Sequence, residues 1–226
     1  MIRILLFAGL FLTMIFSPGC QKNSFEHIIM NSQDGTMSIG EQVWMRKNHS
    51  VKVFNNGDSI PEAQSKIEWE NAGKNKQPAW CYSNGETSSI LYNWYAIRDK
   101  RGIVPNGWHL PTFEEIQYLI KIQNTLNSLV SSNYDYPRAY SSRASDRKQI
   151  AKHHTTFFIP LTYAGNRFGN GRFKGIEKIG VFWTSEEPEK GRGYIPVYAQ
   201  LSDEKELYMV SSNPGNGVSI RLLKNH

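Results

Sequence analysis

The sequence predicts a single α+β domain with two early helices and a late antiparallel meander of strands. Two capping boxes mark the helices, and the second is followed by apolar residues at helical spacing. In the last third, short apolar runs suit strands, and Gly- and Asn-rich turns separate some of them. No internal repeat interrupts this order.

The first twenty residues have the pattern of an export signal. Arg3 supplies a positive charge, residues 4–16 are apolar, and Ser17-Pro18-Gly19 leads directly to Cys20. The apolar run is shorter than the ~20 residues of a membrane-spanning helix, so we expect a signal peptide at residues 1–19. A cysteine directly after small residues is typical of bacterial lipoproteins, although an aliphatic residue is usual where Ser17 stands. Cys20 is therefore the predicted lipid attachment site, and a secreted protein without a lipid is the alternative.

These features predict an exported protein that its lipid anchors to the cell envelope, on the periplasmic or the surface side. The mostly polar residues 20–37 are expected to form a flexible tether, and residues 38–226 the folded domain. Cys81 is the second of two cysteines in the sequence. If Cys20 is acylated, no intrachain disulfide can form, and the core must depend on apolar burial.

The first half of the domain is expected to hold short strands and two helices. Strand-like runs occupy residues 42–45 and 51–54, and the second ends at a turn containing Asn56-Gly57. A capping box at residues 65–68 begins a short helix that Gly73 is expected to end. Residues 79–82 and 91–97 each suit a buried segment. A stronger capping box at residues 112–115 begins a helix predicted at 113–127.

Residues 128–152 are weakly patterned and are predicted to be a long loop. The strands of the last third are predicted at residues 156–161, 180–184, 195–201, 207–211 and 218–223. Five of the six tryptophans are expected to lie in the core rather than to serve as sugar platforms; they are Trp44, Trp80, Trp94, Trp108 and Trp183.

Seven short motifs occur in order between residues 39 and 224. They are Ile39-Gly40-Glu41-Gln42-Val43-Trp44-Met45, Asn56-Gly57-Asp58-Ser59-Ile60-Pro61, Pro78-Ala79-Trp80-Cys81-Tyr82, Leu91-Tyr92-Asn93-Trp94-Tyr95-Ala96, Gly107-Trp108-His109-Leu110-Pro111-Thr112, Phe182-Trp183-Thr184-Ser185-Glu186 and Gly217-Val218-Ser219-Ile220-Arg221. In this order and spacing, the chain resembles the Fibrobacter succinogenes major paralogous domain, a family of exported bacterial domains.

The resemblance implies a fold but no activity. The Trp-His-Leu-Pro-Thr start of the second helix and the Gly-x-Ser-x-Arg ending are similar to those of formylglycine-generating enzymes and related folds. This implies a C-type-lectin-like architecture, and fold kinship alone does not carry a function. Leu222 stands where family members often have a cysteine, which excludes a bridge from Cys81 to that strand. Without a cysteine after Cys81, formylglycine-generating chemistry is not expected.

Three other motifs are better explained without a ligand. His153 and His154 are adjacent, so their side chains diverge, and no metal is expected there. Glu187-Pro188-Glu189 is read as a charged turn rather than a calcium site. The glycine-rich residues 165–171 lack the Lys-Ser/Thr ending of a phosphate loop and are predicted to be a turn. No cofactor is expected.

The basic charge of the chain is unevenly placed. The formal charge of +6 falls to +5 without Arg3, and residues 138–178 hold nine Lys or Arg against Asp146 and Glu177. A solvated insertion is the favoured interpretation, and attraction to acidic glycans or lipid headgroups is the alternative. Nucleic acid is not an expected partner. His109 is expected to brace the turn into the helix at 113–127 rather than to act as a general base.

We predict a non-catalytic domain that binds a glycan or an envelope protein. The candidate ligand-binding residues are those expected to be exposed on the late loops: Arg167, Asn170, Arg172, Tyr194, Tyr208, Asn213 and Asn216. One alternative is an envelope enzyme acting on polysaccharide or protein, which for glycoside hydrolysis needs two carboxylates about 5–9 Å apart. The other is an adhesin or scaffold subunit without a small ligand.

Overall fold

The computed structural model describes residues 29–31, 35–83, 89–132, 162–187, 195–201 and 207–225. At residues 29–31, 126–132, 196, 198–201 and 208 it describes the backbone alone. Several predictions fall outside the described residues: the signal peptide with Cys20, the strand at 156–161, the basic residues 138–152, the pair His153-His154, and Tyr194.

The described residues form a mixed α+β domain with three helices: α1 (Lys66–Lys74), α2 (Trp94–Ile97) and α3 (Phe113–Ser132). Helix α1 confirms the first capping box, because Ser65 Oγ accepts from Glu68 N while Glu68 Oε2 accepts from Ser65 N. Helix α3 confirms the second and continues past residue 127. None of the three helices is long and apolar enough to cross a bilayer.

Helix α2 is a single turn that the sequence did not predict. Asn93 stops the preceding strand, and its side-chain oxygen accepts from Ala96 N at 3.0 Å and from Ala79 N at 3.0 Å. The residues predicted as one buried segment at 91–97 therefore divide into a strand and a helical turn. The local cause is an N-cap asparagine, whose side chain accepts a backbone N–H of the turn that follows.

The strands are β1 (Ile29–Asn31), β2 (Thr36–Ile39), β3 (Gln42–Met45), β4 (Trp80–Tyr82), β5 (Ile90–Tyr92), β6 (Trp108–His109), β7 (Asn166–Arg167), β8 (Phe173–Lys174), β9 (Ile179–Trp183), β10 (Ile195–Leu201), β11 (Leu207–Ser212) and β12 (Leu223–Lys224). They form a five-stranded sheet in the order β1-β2-β3-β12-β6, a three-stranded sheet β11-β10-β9, and the pairs β4-β5 and β7-β8.

All of these strand pairs are antiparallel, and the sheet β9-β10-β11 confirms the late meander. In the first sheet, Ile29 pairs with Ile39 and Asn31 with Met37. Strand β1 thus lies inside the segment that the sequence assigns to the tether, and β2 spans the end of that segment. Strand β12 joins the end of the chain to β3 through Leu223 and Trp44.

The prediction of regular strands at residues 51–54 and 218–223 is wrong. Residue Val53 forms only an isolated bridge to Ser59. Residues 217–223 are fully buried, but their backbone changes partner repeatedly: Val218 exchanges bonds with Tyr92, and Ser219 N donates to Val181 O. This segment fills the space between sheets, so its apolar run reflects burial rather than membership in one ladder.

The core is apolar and rich in tryptophan. Helix α3 packs Ile116 and Leu119 against the sheet that holds Trp44, and α1 buries Trp69. Four of the five tryptophans predicted as core are at most 5 % exposed: Trp44, Trp80, Trp94 and Trp183. Trp108 is partly buried and packs against the same core.

Candidate ligand-binding surface

The glycine-rich segment forms a tight turn between β7 and β8, as predicted. Phe168 N donates to Arg172 O at 2.8 Å, and Gly171 N donates to Phe168 O at 2.8 Å. Gly171 has a φ of +77°, and a Cβ there would lie 2.5 Å from Lys66 Cγ. Glycine is therefore required at position 171 for two reasons: the left-handed backbone and the close contact with the first turn of α1.

A second turn, at residues 213–217, follows β11. The side-chain oxygen of Asn213 accepts from Gly215 N at 2.9 Å, and Asn216 N donates to Asn213 O at 2.9 Å. Short loops that begin with asparagine commonly fold this way, because its side chain satisfies a backbone donor two residues on.

The two turns are joined through one amide side chain. Asn216 Oδ1 accepts from Gly169 N at 2.8 Å, and Asn216 Nδ2 donates to Ser212 Oγ at 3.0 Å. We call the face carried by Asn170, Arg172, Asn213 and Asn216 the turn-pair surface. Four of the seven candidate residues therefore lie on two turns that contact each other.

Arg167 is buried, which corrects the prediction that its side chain is exposed. It is 2 % exposed, and its Nη1 donates to Ala63 O at 2.7 Å while Nη2 donates to Ser65 O at 2.9 Å. Its guanidinium carbon lies 4.9 Å from the ring centres of Trp69 and Phe173. Cation–π contacts and charge-assisted hydrogen bonds offset the desolvation of the guanidinium. Arg167 therefore supports the turns and is not available to a ligand.

Helix α1 lies beneath both turns. Trp69 packs so close to Gly217 that a Cβ on that glycine would lie 2.8 Å from the indole, and a Cβ on Gly73 would lie 3.5 Å from Gly215 Cα. The same cluster holds Cys81, where burial raises the pKa of the thiol to about 11 against the lowering effect of Arg167. Cys81 is free, buried and protonated at neutral pH.

The hydrogen bonds of the turns fix the direction of three asparagine amides. The oxygens of Asn170, Asn213 and Asn216 each accept a backbone N–H, that of Asn170 from Arg172 N at 3.2 Å. A backbone N–H requires an acceptor, so the amide nitrogen must point away from it. Within the described part of the chain, the NH₂ groups of Asn170 and Asn213 have no protein acceptor.

The remaining candidates are placed as follows. Asn170, Arg172 and Asn213 are exposed, and Asn216 is half-buried because it joins the turns. Only the backbone of Tyr208 is described; it belongs to β11 and pairs with Ala199. Tyr194 lies outside the described residues.

Sequence reasoning missed the contribution of α1 to this surface. Exposed Lys66 and Lys74 flank Glu70 on the helix, with N–O distances of 3.6 and 3.8 Å. The three residues have i, i+4 spacing, which indicates a common face, but one sequence does not show that the helix meets turns a hundred residues later.

The second feature that sequence reasoning missed is the backbone conformation of Lys76, at the end of α1. Its φ is +54°, a left-handed value that is unusual for a residue with a Cβ. Lys76 N donates to Gly73 O and Gln77 N donates to Ala72 O, so α1 ends in a Schellman motif with a lysine where glycine is usual.

Three carboxylates near the start of α3, those of Glu115, Glu186 and Glu187, are engaged in structural roles. Glu115 accepts from Thr112 N at 2.7 Å and from His109 Nε2 at 2.9 Å, which confirms that His109 braces this turn. Glu186 accepts from Phe113 N at 2.9 Å, and Glu187 pairs with Arg98. The contacts of Glu115 and Glu186 stabilise the N-terminus of α3, where negative charge is favoured by the helix dipole.

An open groove of about 590 Å³ runs between α3 and β11. The described residues that line it are Gln117, Ile120, Lys121, Asn124, Thr125 and Met209, and none of these is a carboxylate. Across the described ranges, no three His, Cys, Asp or Glu side chains are grouped so that they could hold a metal ion.

The family comparison gave one match. The model of the Fibrobacter succinogenes major domain matches residues 37–224, which covers nearly all of the described structure. The comparisons with curated proteins and with solved structures gave no match.

Proposed function

This chain belongs to the Fibrobacter succinogenes major domain family, and from that premise we propose that it binds a glycan or an envelope protein through the turn-pair surface without catalysing a reaction. The domain acts at the cell envelope. The two turns present polar side chains on a fixed support, which suits recognition of a polar ligand.

The hydrogen bond from Gly169 N to Asn216 Oδ1 carries this proposal. This bond fixes the turn at 168–172 against the turn at 213–217. Because α1 and buried Arg167 support both turns, the side chains of Asn170, Arg172 and Asn213 have a fixed base. Binding groups fixed before the ligand arrives lose less conformational entropy when it binds. A pair of independent loops would not offer this advantage.

The contacts of three acidic residues near α3 support binding rather than catalysis. A glycoside hydrolase needs a general acid and a second carboxylate facing one cleft. Glu115 and Glu186 instead accept backbone N–H groups at the start of α3, and Glu187 pairs with Arg98. An envelope enzyme remains the alternative function, and a structural adhesin or scaffold subunit is the third.

The proposed location depends on Cys20. As a lipoprotein, the protein would be exported, lose residues 1–19, and carry a lipid on Cys20. A Cys20→Ser variant is expected to leave the membrane fraction and to lose incorporation of labelled fatty acid. A variant that stayed membrane-bound and labelled would contradict the anchor.

We also propose that the α+β architecture is C-type-lectin-like. The start of α3 at Trp108-His109-Leu110-Pro111-Thr112 and the pairing of β3 with β12 support this assignment. An experimental structure that placed the domain closer to another α+β fold would contradict it.

The binding function is tested with the full chain purified in detergent. It is screened on a glycan array and used to retain proteins from envelope extracts. Arg172→Ala and Asn213→Ala are expected to abolish retention of the ligand, whereas Lys100→Ala, on the loop after α2, keeps it. Equal binding by all variants would place the site elsewhere. Release of reducing sugars or peptides from envelope material, at a rate that scales with protein, would favour the enzyme.

A further inference from the structure

We propose that the ligand of the turn-pair surface is an acidic polysaccharide, whose sugars carry carboxylate groups. This inference rests on the proposed binding function and specifies its ligand class. The surface combines amide donors and a guanidinium, the segments that support it add lysines, and most of its acceptors are already used within the protein.

The amides form a surface rich in hydrogen-bond donors. The oxygens of Asn170 and Asn213 are occupied by backbone N–H groups, and their NH₂ groups are left to meet a ligand. Exposed Arg172 adds further N–H donors beside Asn170. Such a surface fits a ligand that presents oxygen acceptors, and a carboxylate accepts from guanidinium in a bidentate manner.

The two segments that support the turn-pair surface carry an excess of positive charge, as Arg172 does. Residues 66–76 and 167–178 contain seven basic and three acidic residues: Lys66, Lys74, Lys76, Arg167, Arg172, Lys174 and Lys178 against Glu68, Glu70 and Glu177. Two of the acids are engaged locally, because Glu68 caps α1 and Glu70 lies between Lys66 and Lys74. The excess of positive charge attracts anionic ligands and raises their local concentration.

The observations favour a polysaccharide over a membrane surface. A helix that binds lipid needs an extensive apolar face beside its lysines. On α1, Ile67 is 69 % exposed, and it is the one large apolar side chain exposed on the described parts of α1 and the two turns. The exposed groups of the turns are instead amides and a guanidinium, which hydrogen-bond to hydroxyl and carboxylate oxygens.

The test uses variants that keep the turns intact. Asn170→Asp and Asn213→Asp retain the oxygen that accepts the backbone N–H, but each replaces the NH₂ donor with a negative charge. Arg172→Gln removes the guanidinium. Asn106→Asp and Lys100→Gln make the same charge changes at exposed positions outside the surface. Binding of the full chain in detergent to polygalacturonate is measured by titration calorimetry, beside dextran, polyglutamate and anionic phospholipid vesicles.

We expect polygalacturonate to bind, with an affinity that falls as ionic strength rises. Each surface variant should weaken binding about tenfold or more, and the two control variants should stay within about twofold of the wild type. Circular dichroism confirms that the variants are folded.

Other results separate this inference from the proposed function. Binding of dextran as tight as that of polygalacturonate, lost in Arg172→Gln, would overturn the acidic ligand and keep a glycan site. If polyglutamate bound as tightly as polygalacturonate, the affinity would depend on charge alone and not on a sugar. If only the vesicles bound, the ligand would be a lipid. Either result would overturn the proposal. If no polysaccharide and no envelope protein binds, the proposed function itself fails.

Discussion

The guanidinium of Arg167 lies 4.9 Å from the ring centre of Trp69, and this contact joins the hairpin β7-β8 to α1. Arg167 also donates to the carbonyls that precede α1 and exchanges backbone bonds with Gly217. One residue, through its side chain and its backbone, thus fixes the first helix relative to both turns of the proposed site. The proposed ligand-binding surface therefore depends on a residue that is itself buried.

Arg167→Met tests this support. Methionine fills part of the volume between Trp69 and Phe173, but it removes the guanidinium donors: Ala63 O loses its donor, and Ser65 O keeps only its bond from Trp69 N. We expect the free energy of unfolding to fall by about 3 kcal/mol, measured by urea denaturation. Exposed Arg172→Met is the matched control and should change stability by less than about 0.5 kcal/mol. Similar losses in both variants would contradict the buried role of Arg167.

The sequence could not separate these two arginines. Arg167 and Arg172 both flank a glycine-rich turn, and local composition predicts exposure for each. What buries Arg167 is the approach of Trp69, Phe173 and Gly217, two of which are remote in sequence. The turn itself was predictable, because glycine spacing and the absent Lys-Ser/Thr ending are local signals.

At Lys76 a substitution is expected to raise the stability of the protein rather than to lower it. The left-handed φ of +54° at this position in the Schellman motif strains a residue with a Cβ, whereas glycine adopts this conformation freely. Lys76→Gly is therefore expected to stabilise the protein by about 0.5–1 kcal/mol in thermal or urea unfolding. Lys76→Ala removes the same charge and keeps the Cβ, so it should give no such gain. Equal stabilisation by both variants would point to charge rather than backbone strain.

His49 predicts a pH dependence of stability. Burial lowers the pKa of His49 below its ordinary value of 6.5, although its hydrogen bond to the Ile103 carbonyl opposes this shift. The unfolded chain takes up a proton near pH 6.5, and the folded protein does so only at lower pH. The contribution of His49 is thus present above pH 6.5 and is lost as the pH falls through the lower, folded pKa.

His49→Gln separates this residue from the other titrating groups. Glutamine can still donate a hydrogen bond to the Ile103 carbonyl, but it takes up no proton. Urea unfolding of the variant between neutral and mildly acidic pH should show a smaller loss of stability than the wild type. Parallel curves for the two proteins would exclude His49 as a source of acid sensitivity.

The local parts of the fold were predictable, and the long-range ones were not. Both capping boxes and the Gly57 turn follow from neighbouring residues, and the structure contains them. Residues 218–223 have the apolar pattern of a strand, yet their backbone pairs in succession with four different segments: β5, β9, residues 44–49 and β6. Periodicity reports burial, and it cannot show which partners a buried backbone finds.

His109 and Glu115 provide the last test, because His109 links Glu115, in the first turn of α3, to Asn225. His109 contacts Glu115 through Nε2 at 2.9 Å and Asn225 Oδ1 through Nδ1 at 2.7 Å. His109→Ala therefore removes two hydrogen bonds, while Glu115→Ala removes the contact with His109 and the reciprocal arm of the capping box. We expect each to lower the free energy of unfolding by about 1–2 kcal/mol.

The double variant distinguishes a direct bond from two separate effects. If the His109–Glu115 contact stabilises the fold, the double variant should lose about 0.5–1.5 kcal/mol less than the sum of the single losses. Asn225→Ala paired with Glu115→Ala is the control, since these two side chains meet only through His109. Additive losses for His109 with Glu115 would mean that the observed bond contributes no stability.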